Sequence, residues 1–122
     1  QAADYRVQDI QYSISGADFK LITAQDTFTV HSPLLGHFNI ENLVASLVVV
    51  EQVGFSLADL IATVPELKGA PGRMQVIRDD ERLFVVDYAH TPDALNQVLL
   101  TLKRHVSQKL WVAFGCGGLL FR

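Results

Sequence analysis

Residues 83–99 read LFVVDYAHTPDALNQVL, a pattern of strand, polar turn and helix. The run from Leu83 to Val86 is apolar at consecutive positions, which favours a strand covered on both faces, as in a parallel sheet flanked by helices. Asp87 ends that run. The segment Thr91 to Asp93 then predicts a helix start, with threonine as the N-cap and proline at the first helical position.

A helical pattern and a second apolar strand follow this stretch. Apolar residues recur on one helix face, and the basic segment Lys103 to His105 lies in the last turn, beside the negative helix end. Residues 110–114 (LWVAF) predict a second strand. Strand, crossover helix and strand form a right-handed βαβ unit in nearly every case, so we expect strands 83–87 and 110–114 to be parallel neighbours.

The carboxyl ends of these two strands would lie side by side. One ends in the turn Asp87 to Thr91, and the other in the turn Gly115 to Gly118. Ligands of open α/β sheets bind at this edge, where an acid commonly takes ribose hydroxyls and glycines let phosphate approach backbone N–H groups. The residues equally allow a structural interpretation, in which Asp87 caps its turn and the glycines end a strand.

Composition narrows the class of protein. The 122 residues, 49% of them hydrophobic, indicate one domain or two small halves of something larger. A net charge of −3 argues against a nucleic-acid surface, and no apolar run reaches the roughly 18 residues of a membrane span. The single cysteine, Cys116, excludes an internal disulfide and fits a reducing cytoplasm. It could also be a nucleophile, although no activating histidine is close in sequence.

The first half of the chain predicts strands and then helices. Aromatic and β-branched residues between polar turns predict a meander of three antiparallel strands over residues 5–31, with His31 at a strand end rather than on a ligand. Residues 37–53 have helical spacing and little polar surface, so we expect a helix buried on most sides. Gly54 ends it, and Ser56 caps a short second helix.

Asn39, Asn42 and Ser46 line one stripe of the 37–53 helix. One interpretation makes Asn39 the N-cap, answered by Asn42 from the third helical position, and spacing alone favours it. In the other, the side-chain amides bind a ligand, since an amide offers both the donor and the acceptor that the edge of adenine requires.

Residues 65–73 (PELKGAPGR) have the composition of a linker and mark a boundary near 69–72. Residues 74–77 then alternate like a strand, and residues 78–82 (RDDER) predict a charged hairpin turn. Arg73 stands where the two halves meet. Its guanidinium could hold a phosphate or ribose, or could tie the halves together by a surface ion pair.

Four motifs taken together resemble one family. They are GHFNIENLVAS at 36–46, PGRM at 71–74, DYAHTPDAL at 87–95 and FGCGG at 114–118. In order and spacing they are similar to the Mur ligases, nearest to the branch that adds the third residue of the peptidoglycan stem peptide. The resemblance implies an α/β fragment. Residues 1–68 would end the central ATPase domain, with antiparallel strands plus helices, and residues 69–122 would begin a Rossmann-like C-terminal domain with a βαβ unit.

The resemblance also implies roles for five residues. Asn39 and Asn42 match the helix start that contacts adenine in the family. Arg73 and Asp87 match positions at the domain junction that hold the ribose and phosphate side of ATP. His90 matches a histidine near the nucleotide, and it could instead fix its own turn through the backbone. Because the nucleotide lies between the central and C-terminal domains in this family, the resemblance also implies that the two asparagines and the Asp87 and His90 pair face a common cleft.

The activity that the resemblance implies is that of a cytoplasmic ligase. ATP and Mg²⁺ would activate the carboxylate of a UDP-MurNAc-dipeptide as an acyl phosphate, and the amino group of meso-diaminopimelate or L-lysine would then displace phosphate. The family's phosphate-binding GxxGKT or GxxGKS loop, its carbamylated lysine and its amino-acid-selecting motif are absent from these 122 residues. The chain alone is therefore expected to lack ligase activity and to have at most weak affinity for ATP.

Two alternatives remain open from the sequence. One is a ligase of the folylpolyglutamate or cyanophycin type, which shares an aspartate–histidine–proline turn. The other is a non-catalytic nucleotide-binding module. In any of these, apolar faces without partners would favour a reorientation of the two halves or an association of the chain with copies of itself.

Overall fold

Three antiparallel strands form the first sheet of the computed structural model, which describes residues 4–79 and 82–115. The strands are β1 (Arg6–Ser13), β2 (Gly16–Ile22) and β3 (Thr27–Ser32), and they are neighbours in that order. Both strand pairs are antiparallel, with Phe19 opposite Val30 at the centre. The predicted meander is therefore confirmed. His31 lies near the end of β3, where its Nδ1 is 2.8 Å from Oδ1 of Asp18.

The central strand β2 supplies the middle of the first core. Ala17, Phe19 and Leu21 are at most 2% exposed, whereas the intervening side chains are in solvent, as the two-residue period of a strand requires. Gly16 opens this strand at φ +133°, and a Cβ there would lie 1.9 Å from the carbonyl oxygen of Ser32. The β1–β2 turn is thus packed directly against the end of β3.

Two helices cover this sheet. Helix α1 (His37–Gln52) contributes Ile40, Leu43 and Leu47 to the first core, and α2 (Leu57–Thr63) contributes Leu57. Ser56 caps α2, as predicted, by accepting a hydrogen bond from the N–H of Asp59. A single 3₁₀ turn (Val64–Glu66) ends this part of the chain.

The second half begins with an antiparallel hairpin, β4 (Gln75–Asp79) and β5 (Arg82–Val86), followed by α3 (Pro92–His105). The hydroxyl of Thr91 caps α3 by accepting from the N–H of Ala94 at 3.2 Å, which confirms the predicted helix start. Residues 80 and 81 of the predicted hairpin turn lie outside the described residues.

The predicted second strand of the βαβ unit is wrong. Residues 110–114 are in no helix or strand, so 83–87 and 110–114 are not parallel neighbours, and β5 pairs with β4. A parallel strand needs covered faces, and here Trp111 is 85% exposed and Phe114 73%. The rest of the turn that should follow, residues 116–118 with Cys116, lies outside the described residues.

Two expectations of burial are also wrong. In β5 only Leu83 and Val85 are half-buried, whereas Phe84 and Val86 are exposed, so the strand is covered on one face. Helix α1 buries a single stripe, and Val49 on its outer side is 64% exposed. Both elements have apolar faces that no other described element covers.

A second, smaller core joins the two halves. Its buried members are Leu35, Met74 and Leu102, and Leu35 comes from the segment that precedes α1. Apolar side chains from β4, β5 and α3 pack around them. Within the described ranges, no helix combines the length and the apolar character of a membrane span.

Candidate functional site

Asn39 lies in the first turn of α1 but does not cap it. The N-cap is Gly36, at φ +96°, so no side chain caps the start of the helix. The side chain of Asn39 instead donates from Nδ2 to the carbonyl oxygen of Leu35 at 2.7 Å. The interpretation of Asn39 as N-cap is therefore wrong, because a glycine free to adopt positive φ already occupies that position. Its Oδ1 accepts no hydrogen bond from any described residue.

Asn42 lies one turn further along the same side of the helix. Its side chain is exposed and makes no hydrogen bond within the described part of the chain, while its backbone oxygen accepts from Oγ of Ser46 at 2.8 Å. A free carboxamide at the first turns of a helix offers a donor and an acceptor side by side.

Asp87 joins the end of β5 to the linker region. Its Oδ2 accepts from the N–H of Met74 at 2.9 Å, and its Oδ1 accepts from the N–H of Ala89 at 2.8 Å. Met74 is held at φ +47°. Asp87 therefore caps its own turn, as the structural interpretation predicts. A carboxylate has about four lone-pair positions, so these two bonds leave room for a further donor.

Arg73, Tyr88 and His90 lie next to one another around the same turn. The guanidinium carbon of Arg73 is 5.6 Å from the centre of the Tyr88 ring. The centre of the His90 ring is 5.0 Å from the centre of the Tyr88 ring, and the two ring planes are inclined at 54°. Nδ1 of His90 is 3.0 Å from the carbonyl oxygen of Tyr88. Because a carbonyl only accepts, Nδ1 carries the proton, and Nε2 of a neutral ring keeps its lone pair for another partner.

The structure therefore brings together three of the five predicted residues. Arg73, Asp87 and His90 form one group, with Tyr88 as the ring between two of them, a part that the sequence reasoning missed. Asn39 and Asn42 form a second group on α1, and no described contact joins the two groups. The common cleft between them remains a prediction. Among the described residues no three His, Cys, Asp or Glu side chains are placed to hold a metal ion.

One buried polar residue was also missed by the sequence reasoning. His105 is 3% exposed and bonds to Gly36 and to Ser13, both from the first half of the chain. The sequence places it in the last turn of α3, where a histidine reads as a helix-end cation. Only its hydrogen-bond partners, which are far away in the sequence, show that His105 is a buried contact between the two halves rather than an exposed cation at a helix end.

Two family models match separate stretches of the chain. The family model described as the Mur ligase middle domain matches residues 1–50, and the model described as the Mur ligase glutamate ligase domain matches residues 72–120. A Pseudomonas aeruginosa protein named UDP-N-acetylmuramoyl-L-alanyl-D-glutamate–2,6-diaminopimelate ligase is 42% identical over 112 residues, which are 91% of this chain and 23% of that protein.

Solved structures show the same relationship. A structure of a UDP-N-acetylmuramoyl-L-alanyl-D-glutamate–2,6-diaminopimelate ligase is 66% identical, with a TM-score of 0.84 over 98% of this chain and 24% of that one. The MurF ligase of Thermotoga maritima in complex with ADP is 25% identical, with a TM-score of 0.66 over 85% of this chain and 24% of that one. The chain thus spans about a quarter of the length of these relatives. It belongs to the Mur ligase family, of which it contains parts of the middle and C-terminal domains.

Proposed function

We propose that the chain is part of a cytoplasmic, ATP-dependent ligase that adds meso-diaminopimelate to UDP-MurNAc-L-Ala-D-Glu in peptidoglycan synthesis. The observation that carries the proposal is the 66% identity, over 98% of the chain, to a solved ligase of that name. The relatives' names favour diaminopimelate over L-lysine, and favour this reaction over the folylpolyglutamate and cyanophycin alternatives. In this proposal residues 1–68 belong to the central domain and residues 69–122 to the C-terminal domain.

The chain's own contribution to the reaction would be to hold the nucleotide. Asn42 and the free Oδ1 of Asn39 would meet the edge of adenine, because together they offer the donor and acceptors that the base requires. Asp87 would accept from a ribose hydroxyl with its remaining lone pairs, and the exposed guanidinium of Arg73 would pair with phosphate. His90 would lie near the nucleotide, with Nε2 of the neutral ring available to accept a hydrogen bond.

ATP, when bound, supplies the phosphoryl group that activates the substrate carboxylate. The described residues do not fit a Mg²⁺ site, since no cluster of carboxylates or histidines is present among them. In this proposal the metal ligands and the phosphate-binding loop belong to other parts of a longer protein. Binding of adenine and ribose without those ligands should be weak, because phosphate and metal contacts supply most of the electrostatic attraction to ATP.

Phosphate release tests this proposal. The complete protein should release phosphate only when UDP-MurNAc-dipeptide, meso-diaminopimelate and ATP are all present, and the 122-residue chain should release none. In the complete protein, Asn42→Ala should raise the KM for ATP about tenfold, the equivalent of about 1.4 kcal/mol. The matched control is Asn96→Ala, which removes an exposed asparagine from α3.

Three results would count against the proposal. Turnover with L-lysine but not diaminopimelate would correct the substrate. A KM for ATP that is equal in the Asn42 and Asn96 variants would remove the adenine site. A complete protein that binds nucleotide but never releases phosphate would favour the non-catalytic module instead.

We further propose that the isolated chain associates with copies of itself. The outer face of the second sheet presents Ile77, Phe84 and Val86, which are 48%, 49% and 45% exposed, and no described element covers them. Apolar surface left in water favours association. Sedimentation at micromolar concentration should show dimers or larger species that Phe84→Asp reduces, whereas a strictly monomeric wild-type chain would contradict the proposal.

A further inference from the structure

The two halves of the chain meet at a buried imidazole. His105, the last residue of α3, is 3% exposed. Its Nε2 is 3.0 Å from the backbone nitrogen of Gly36, the N-cap of α1, and its Nδ1 is 2.8 Å from the carbonyl oxygen of Ser13, at the end of β1. One side chain therefore connects α3 to two elements of the first half.

These partners define the tautomer of the ring. The carbonyl of Ser13 can only accept a hydrogen bond, so Nδ1 must carry a proton. The N–H of Gly36 can only donate, so Nε2 must offer its lone pair. The opposite tautomer would lose both bonds, and an imidazolium would place an N–H against the N–H of Gly36. The contact is therefore made by one form of the ring, the neutral Nδ1–H form.

Gly36 is the point at which α1 is oriented. Its φ of +96° sets the direction in which the chain enters the helix, and the next turn contains Asn39, whose amide is bonded to Leu35. The fit to α3 is close here, since a Cβ on Gly36 would lie 3.1 Å from Cγ2 of Thr101. A change at His105 therefore acts directly on the entry to α1.

We infer that His105 is a positioning residue, which fixes the amide-bearing start of α1 against α3, the helix that follows the Asp87 to His90 turn. His105 would thus act together with the second core to hold the two groups of site residues in one relation. This inference rests on the proposed nucleotide site for its functional consequence, but the positioning itself is a property of the ligand-free chain.

Other polar and charged groups lie near His105, but they make hydrogen bonds elsewhere. The ring of Tyr12 lies edge-on to His105, with 4.9 Å between ring centres, and its hydroxyl is 3.0 Å from Nδ1 of His37. Arg78 donates to the carbonyl oxygen of Ile14 at 2.6 Å, beside the Ser13 contact. His37 is also 3.7 Å from Glu41. None of these groups hydrogen-bonds to the N–H of Gly36 within the described residues.

Two substitutions separate the two bonds of the ring. In His105→Asn, the amide nitrogen can take the place of Nδ1 and donate to Ser13, but nothing reaches Gly36. In His105→Gln, the longer side chain can bring its oxygen to the N–H of Gly36, and the bond to Ser13 is lost. Each variant loses one hydrogen bond and some packing, so a purely structural role predicts similar losses in thermal stability and no other difference.

The first test uses nuclear magnetic resonance on the ¹⁵N-labelled 122-residue chain without ligand. Long-range ¹H–¹⁵N spectra should show the Nδ1–H tautomer at His105 in the wild type. The backbone amide resonances of Gly36 and Asn39 should move in His105→Asn and stay near their wild-type positions in His105→Gln. The control is His31→Gln, which changes an exposed histidine paired with Asp18. An Nε2–H tautomer, or equal shifts in the two His105 variants, would overturn the inference.

The second test measures the affinity for ADP in the same samples. We expect about a tenfold loss in His105→Asn, the size of one hydrogen bond's net contribution, and less than about a threefold change in His105→Gln and in the control. Equal losses in both His105 variants would reduce the residue to a structural role. If the wild-type chain binds no ADP, the proposed nucleotide contacts of this chain are contradicted, whereas the ligase activity is tested separately in the complete protein, and the ligand-free amide shifts alone decide whether His105 positions the start of α1.

Discussion

The two sheets of this chain differ in how well their apolar strands are covered. β2 has a neighbouring strand on each edge and two helices over one face, and Phe19 within it is 2% exposed. Within the described residues β5 has one neighbouring strand, and its Phe84 is 49% exposed. The better-buried phenylalanine lies in the strand with the weaker β-forming sequence, because β2 (GADFKLI) contains glycine, alanine, aspartate and lysine, whereas β5 (RLFVV) is rich in strand-forming residues. The burial of a strand, and the stability that it supplies, therefore depend on the elements packed against it more than on its local sequence.

The comparison predicts that the same truncation has very different costs in the two sheets. Phe19→Ala should lower the free energy of unfolding by about 3–5 kcal/mol, because it leaves a cavity in a closed core. Phe84→Ala should change it by less than about 1 kcal/mol, since the ring is already half in water. Urea unfolding followed by circular dichroism measures both. Similar losses at the two positions would show that the second sheet is covered as well as the first.

Two glycines of the first half extend the comparison, because Gly16 is closely packed and Gly54 has open space around it. Gly16→Ala should cost about 2–3 kcal/mol, because the new Cβ would meet the carbonyl oxygen of Ser32 and the φ of +133° is unfavourable for alanine. Gly54→Ala, at φ +108° with open space around it, should cost about 1 kcal/mol. The same unfolding assay applies. If the two variants were equally stable, the β1–β2 turn would not be packed against β3 as described.

The smallest predicted effect concerns a hydrogen bond between Tyr5, the residue before β1, and Glu51, near the end of α1. The hydroxyl of Tyr5 donates to Oε2 of Glu51 at 2.6 Å, and this bond raises the pKa of Tyr5 above its ordinary value, with desolvation and the charge of Glu51 acting in the same direction. The folded state therefore holds the phenol proton more tightly than the unfolded state. This contribution to stability is complete below the ordinary phenol pKa and is lost as the pH rises through the folded value.

Tyr5→Phe provides the control for that effect. The wild type should be more stable than Tyr5→Phe at pH 8, and the advantage should shrink as the pH rises above about 10. Unfolding in urea at several pH values measures the difference between the two chains. An advantage that stays constant, or grows, up to pH 11 would mean that Tyr5 and Glu51 are not bonded in solution.

The elements that the sequence predicted well are those specified by neighbouring residues. The caps at Ser56 and Thr91 and the meander of the first sheet follow from side chains a few positions apart. The strand at 110–114 was predicted from an equally clear apolar run and is wrong, because a parallel strand needs partners that the described chain does not place there. Spacing alone favours Asn39 as the cap of α1, because spacing cannot reveal that Gly36 adopts a positive φ.

The candidate site likewise has residues that the sequence identifies and a contact that only the fold reveals. The five residues could be named from motifs that resemble a family, and the structure groups Arg73, Asp87 and His90 around one turn. The contact between His105 and Gly36 joins residues 69 positions apart, and no local pattern in the sequence announces it. Only the folded chain shows that α3 and the start of α1 share a side chain.

Titration of the ¹⁵N-labelled chain with ADP tests the central claim most directly, namely that both halves contribute to one nucleotide site. The amide resonances of Asn39 and Asn42 and those of Asp87 and His90 should shift together, along one binding curve with a Kd on the order of 1 mM, about 4 kcal/mol of binding free energy. Shifts confined to one of the two groups, or two curves with different midpoints, would contradict the account, and so would the absence of any shift at either group.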